Sequence, residues 1–287
     1  VVGVLGTTPV AAALAPLPAV GFVLLVILIG FWASYFAPIG TALPLAFHVH
    51  AVTAMTWLAF LIVQCLAIHR RMNALHRQIG LASFALFPLL IVGLAMIINL
   101  SAARYASNES PFIAFAGPSF AIGMAIAIAA YLVLFYKALQ HRRNVKLHAG
   151  YMLATPLILF ESPFSRVMGA FLPWLNVIGS DGPQALFDTI LISDSLATLL
   201  ALALYFRDRK HGAPWLVAAS FMMAQGVVMW ITPGNAALGA ALRAYAAMPE
   251  PVTLTVAAAA GGLVCWRGWK AAPRRPGRRG DPLPQAA

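Results

Sequence analysis

The sequence predicts an all-α fold, a polytopic transmembrane bundle of about eight spans. Three observations carry this expectation. Apolar residues make up 61% of the chain and charged residues 9%, where a soluble domain carries about 25% charged residues. Apolar runs of ~20 residues recur along the whole chain, each long enough to cross a ~30 Å hydrocarbon core at 1.5 Å per residue. The runs are continuous and not alternating. Backbone groups in lipid must be satisfied within one segment or around a closed barrel, so continuous runs mean helices.

Taken in order, residues 1–18 read as a short apolar leader without the basic start of a signal peptide. The bundle then occupies residues 19–268. Its spans cover roughly 19–37, 47–68, 77–99, 115–138, 149–171, 185–206, 214–232 and 251–268. Residues 269–287, rich in Arg, Pro and Gly, read as a disordered basic tail. Cys65 and Cys265 form no Cys-x-x-Cys pair, and no disulfide is expected.

Charge gives the orientation. Of the 19 Lys and Arg residues, all but Arg104, Arg166 and Arg243 fall on one side if there are eight spans. The positive-inside rule then places both termini in the cytoplasm of a bacterial inner membrane. The net charge of +11 is explained by contact with anionic lipid headgroups and requires no nucleic acid. Walker, His-Glu-x-x-His, Gly-x-Ser-x-Gly and dinucleotide-binding motifs are absent.

One phrase occurs twice. His69-Arg70-Arg71 with His76 recurs as His141-Arg142-Arg143 with His148, at an offset of 72 residues. Residues 69–83 and 141–155 share seven identities in fifteen positions. Each copy joins two apolar runs, so spans two and three (about 47–99) and spans four and five (about 115–171) read as a parallel two-helix repeat. Parallel repeats place sites at the repeat interface. Packed about an axis along the membrane normal, His76 and His148 would sit at one depth. Two facing histidines suit axial ligation of a b-type haem. With a third group they suit a transition metal instead. A histidine in a basic turn also serves simply to meet headgroups or cap a helix.

Other polar groups inside the spans are candidates because ionisable side chains in lipid are costly. His48 and His50 form a His-x-His element, a metal-site candidate at the outer face. Gln64 lies in line with His50 and Trp57 at a spacing of seven. Glu161, Asp188 and Asp194 are the acids within spans, and Arg166 lies near them at the outer end of span five. These could pair with one another, or meet His48 and His50 in an outer cavity.

Two stretches carry a resemblance. His76-Arg77-Gln78-Ile79-Gly80 resembles the His-Arg-x-[Leu/Ile]-Gly element of a family of uncharacterised bacterial multi-span membrane proteins. His148-Ala149-Gly150-Tyr151-Met152-Leu153-Ala154-Thr155 resembles their second element, His-Lys-Arg-Leu-Met-Leu-Ala-Thr, with Ala149 and Gly150 replacing the basic pair. That family implies no activity, and the resemblance covers about residues 45–170. More distantly, the repeat is similar to the cytochrome b561 type of four-helix core. This likeness implies one haem pair at His76 and His148; His48 or His50 has no histidine partner on span four.

Three readings therefore stand open: a haem-binding redox protein using His76 and His148; a small-solute or proton transporter using Glu161, Asp188 and Asp194; and a membrane-embedded metal hydrolase using His48, His50 and acids. A homo-oligomer or a membrane redox partner would fit the first.

Overall fold

The computed structural model describes residues 16–272. The leader before residue 16 and the tail after residue 272 lie outside the described residues. Among the described residues the only regular structure is helical. In chain order the helices are α1 (Pro16–Gly30), α2 (Leu45–His69), α3 (Asn73–Ala106), α4 (Pro111–Gln140), α5 (Val145–Ala154), α6 (Glu161–Phe171), α7 (Gln184–Arg207), α8 (Ala213–Ile231), α9 (Ala236–Ala246) and α10 (Glu250–Ala271). A π turn, Trp32–Phe36, follows α1.

Five of these helices, α2, α3, α4, α7 and α8, are long and apolar enough to cross a membrane. There are six if α9 and α10, bent by 100° at their junction, form one span. The three remaining expected spans are built differently. At 15 residues, α1 is about 22 Å long, short of a ~30 Å core. The stretch 149–171 is not one helix, and the final run continues as helix to Ala271, past the expected boundary at 268.

The break in the fifth run has a local cause. Pro156 has no N–H to give the carbonyl of Met152 and crowds it sterically. Thr155 Oγ1 donates to that carbonyl at 2.8 Å. The chain passes through a 3₁₀ turn at Thr155–Leu157 and restarts as α6 at Glu161. Pro88 and Pro118 sit inside α3 and α4 without ending them.

Several helix starts are capped by short polar side chains, which accept otherwise orphaned backbone N–H groups. Ser110 accepts from Ile113 N at 3.2 Å, with Pro111 opening α4. Asn144 caps α5 and Asn235 caps α9 in the same way.

The central core lies among α2, α3 and α4. Phe87 and Phe135 stack with centroids 4.0 Å apart, and Trp57 lies 5.7 and 5.6 Å from them. Trp57 Nε1 donates to Thr155 Oγ1 at 2.9 Å, so the core is tied directly to the break. α10 covers α3 and α4. It comes close because Gly261 lies against Pro88, where an added Cβ would sit 2.7 Å from the proline Cα.

The basic turns converge at one end of the bundle. Arg142 lies 3.9 Å from the Trp269 ring centroid and donates to the Trp269 carbonyl at 2.7 Å. Lys146 pairs with Asp208 at 3.3 Å. At the opposite end, Asn99 links Tyr245 and Thr253, at 2.6 and 2.8 Å.

Candidate functional site: a polar cavity at the helix break

The break positions a buried polar cluster. Glu161 opens α6 and is buried. Gln225, in the middle of α8, donates from Nε2 to Glu161 Oε1 at 3.2 Å. The other end of that amide, Gln225 Oε1, is buried with no hydrogen-bond partner among the described residues. Asp194 on α7 is fully buried, and neither of its carboxyl oxygens has such a partner. It packs against Gly226, where an added Cβ would lie 2.9 Å from Asp194 Cβ. Thus α6, α7 and α8 each direct one hydrogen-bonding side chain into a small interior region. An unpartnered polar group buried in this way costs a few kcal/mol by general transfer arguments, so each is a candidate functional group.

A cavity of about 440 Å³ adjoins this cluster. Glu161, Gln225, His50, Arg104 and Arg166 line it, among a majority of apolar side chains. Its size and lining match the usual small-molecule pocket, ~300–1,000 Å³ and mostly apolar with a few placed polar groups. Arg166 Nη1 donates to Ser162 Oγ at 2.9 Å, and its guanidinium lies 4.7 Å from the Phe31 ring centroid. Among the described residues no carboxylate comes within ion-pair distance of Arg166; the ion pairs are Arg104–Glu109, Lys146–Asp208 and His211–Asp208.

The other residues expected to act are distributed as follows. Asp188 does not join the acid cluster. Its carboxylate accepts from Ser180 N and Oγ at 2.8 and 2.9 Å and from Trp230 Nε1 at 2.9 Å, anchoring the loop before α7. His48 and His50 diverge on α2, as an i, i+2 pair on a helix must. His48 Nδ1 meets Tyr35 Oη at 3.2 Å, while His50 lines the cavity with Nδ1 buried and unpartnered among the described residues. No group of three or more His, Cys, Asp or Glu side chains fit to hold a metal occurs among the described residues.

The repeated histidines lie at the basic end, within electrostatic range of each other. His148 Nδ1 donates to the Ala138 carbonyl at 2.9 Å, leaving Nε2 with a free lone pair. The Gln64 amide, oriented to satisfy its surroundings, accepts from Gly80 N at 3.0 Å and donates to His76 Nδ1. That contact puts the ring proton of His76 on Nε2. With the amide assigned this way, the hydrogen bonds assign opposite tautomers to the two neutral imidazoles. Nearby, His141 stacks on Tyr151 at 5.7 Å, and burial together with Lys137 holds its imidazole below the usual value.

Gln225 is the cluster member that the sequence reading passed over. Its signal was present: a side-chain amide in the middle of the apolar run 214–232. No family model, curated protein or solved structure matches this chain.

Proposed function

We propose that the protein is a proton-coupled carrier of a small solute. The observation that supports this reading is the cavity beside Glu161. It is large enough for a solute, it touches a buried carboxyl, and it lies where an apolar segment is interrupted. Interrupted helices near the middle of a bundle are a recurring design of secondary transporters, because they expose backbone and helix ends to a bound solute. Glu161 would exchange a proton with the solute pathway, with Gln225 holding its carboxyl in place. Asp194, behind it, would supply a second proton site.

We place the carrier in a bacterial inner membrane with the basic turns in the cytoplasm, all eight apolar segments crossing, and residues 47–99 and 115–171 as parallel repeats. Matching features support the repeat. α3 and α5 start 72 residues apart, at Asn73 and Val145. Ser83 bonds Gly80 and Thr155 bonds Met152, each three residues back, at 2.6 and 2.8 Å. The first turn is one residue shorter, and Arg71 takes φ 57° to close it. Reporter fusions after residue 110 and after residue 211 should report opposite sides.

The test of the carrier reading is reconstitution into vesicles holding an internal pH dye, followed by a panel of small solutes added outside. A solute whose entry acidifies the lumen supports the reading. Failure of every solute, with protein that melts cooperatively, counts against it.

A second reading, a b-type haem held by His76 and His148, draws support from their proximity. Against it, ligation needs the Nε2 lone pair of both rings, and the Gln64 orientation that satisfies Gly80 N favours a proton at that position on His76. Purified protein, expressed with ample haem, should show a Soret band lost on His76→Ala and His148→Ala if this reading holds.

A further inference from the structure

The cavity lining limits what it can hold. We infer that its ligand is an anionic amphiphile, with a carboxylate or phosphate head at Arg166 and an alkyl chain along the aromatic wall. The inference deepens the carrier reading, which supplies only the movement of the ligand; binding stands by itself.

Arg166 supplies the charge. Arg166 lines the cavity at its exposed edge, its guanidinium over the Phe31 ring, and only Nη1 is hydrogen-bonded, to Ser162. Nε and Nη2 make no hydrogen bond among the described residues. These free donors form one side of the planar fork that fits two oxygens of a carboxylate or phosphate at once. Arg104 lines the same cavity but is already occupied on both Nε and Nη2 by Glu109. His50 adds a buried, unpartnered Nδ1 on the α2 wall. The acids that face this region are Glu161, bonded to Gln225, and Asp194 behind it.

Arg166 lies at the exposed edge of the cavity with Glu161 within coulombic range. When Glu161 carries its proton the guanidinium has no carboxylate partner, and an entering anion supplies one. The same anion opposes a negative charge on Glu161, so anion entry and protonation of Glu161 favour each other. A monoanion (a carboxylate or a singly ionised phosphate) and a proton together carry no net charge through the bundle. That is the pairing a low-dielectric path permits at least cost.

The remainder of the wall sets the second half of the ligand. Ile27, Phe31, Phe36, Phe112, Phe120 and Phe160 line the cavity. They provide apolar contact with few polar partners, which suits an alkyl chain and not a sugar or a polar amino acid. Ser34 and Phe112 are exposed on the rim, so a ligand can enter from outside the bundle.

The test uses the full chain in phosphatidylcholine nanodiscs and three twelve-carbon probes: dodecanoate, dodecyl phosphate and dodecanol. Wild type should bind at least one anionic probe about tenfold or more tighter than the alcohol, as expected for a charge-assisted contact. Arg166→Gln should remove that preference while leaving dodecanol binding unchanged, which shows the cavity intact. Arg166→Lys should keep part of it. Repeating the measurement with phosphatidylglycerol in the disc separates the sources. Competition by the lipid assigns the site to a phospholipid head, and no competition assigns it to a free amphiphile; either supports an anion site. Equal binding of anions and alcohol by wild type, or an unchanged preference in Arg166→Gln, overturns the inference. Anion binding without proton movement would sink the carrier reading alone. Proton movement with an uncharged solute, and no anion binding, would sink this inference alone.

Discussion

Gln225 on α8 donates its side-chain N–H to Glu161 Oε1 at 3.2 Å, joining two segments 64 residues apart at the point where the fifth apolar run breaks. The contact explains why an amide stands in an otherwise apolar helix. Beside it, Gln225 Oε1 and both oxygens of Asp194 have no hydrogen-bond partner among the described residues. Buried polar networks that are only partly satisfied are unfavourable for stability. This one lies against a cavity of about 440 Å³.

The first prediction concerns the strut beneath the site. Trp57→Phe removes the indole N–H that reaches Thr155. Thr155 keeps its bond to Met152, so no group is orphaned and the loss should be about 1 kcal/mol. Trp57→Ala also opens a hole beside Phe87 and Phe135, and should cost about 3–5 kcal/mol. Thermal melting in detergent measures both. A Trp57→Ala protein melting like wild type would contradict the packing described.

The second prediction sets two adjacent glycines against each other. A methyl group at Gly261 would lie 2.7 Å from the Pro88 Cα, whereas nothing lies within 4 Å of one at Gly262. Gly261→Ala should therefore lower the melting temperature by forcing α10 away from α3. Gly262→Ala should leave it unchanged or raise it, since alanine in a helix is favoured by about 0.5–1 kcal/mol. Equal effects at both positions would refute the close approach.

The third prediction is a pH dependence at the basic end. Hydrogen bonds from His211 and then Lys146 hold the exposed Asp208 carboxyl below its usual range. A lowered carboxyl stabilises the fold above its unfolded pKa, ~3.9, and this contribution is lost as pH falls through the lower folded value. The melting temperature should therefore drop on acidification below about pH 4, and Asp208→Asn should remove that part of the drop. An Asp208→Asn profile parallel to wild type down to the lowest pH would show that the turn contributes nothing.

How much of this was legible in the sequence depends on how local the signal is. Continuous apolar runs showed the helices, because hydropathy over 20 residues needs no partner. The basic turns and the shared register of His76 and His148 were likewise local. The break at residues 155–160 was not separable from Pro88 and Pro118 by sequence. All three prolines sit in apolar runs, and at Pro156 a threonine beside it and a tryptophan 98 residues away hold the interruption in place. The acids looked equivalent, yet Asp188 turned out to anchor a loop while Glu161 and Asp194 face the interior. Nothing local distinguishes them, since their partners come from Ser180, Trp230 and Gln225. The cavity was invisible for the same reason: its walls come from helices spread over most of the chain.

The most direct test of the carrier reading measures proton movement in vesicles reconstituted with wild type and with Glu161→Gln, each loaded with a pH dye and given a solute that wild type accepts. The account predicts that solute entry acidifies the lumen for wild type. Glu161→Gln should still exchange labelled for unlabelled solute, because a neutral amide stands in for the protonated acid, but should lose most of the acidification, since Asp194 does not line the cavity. Acidification by Glu161→Gln at the wild-type rate would contradict the account.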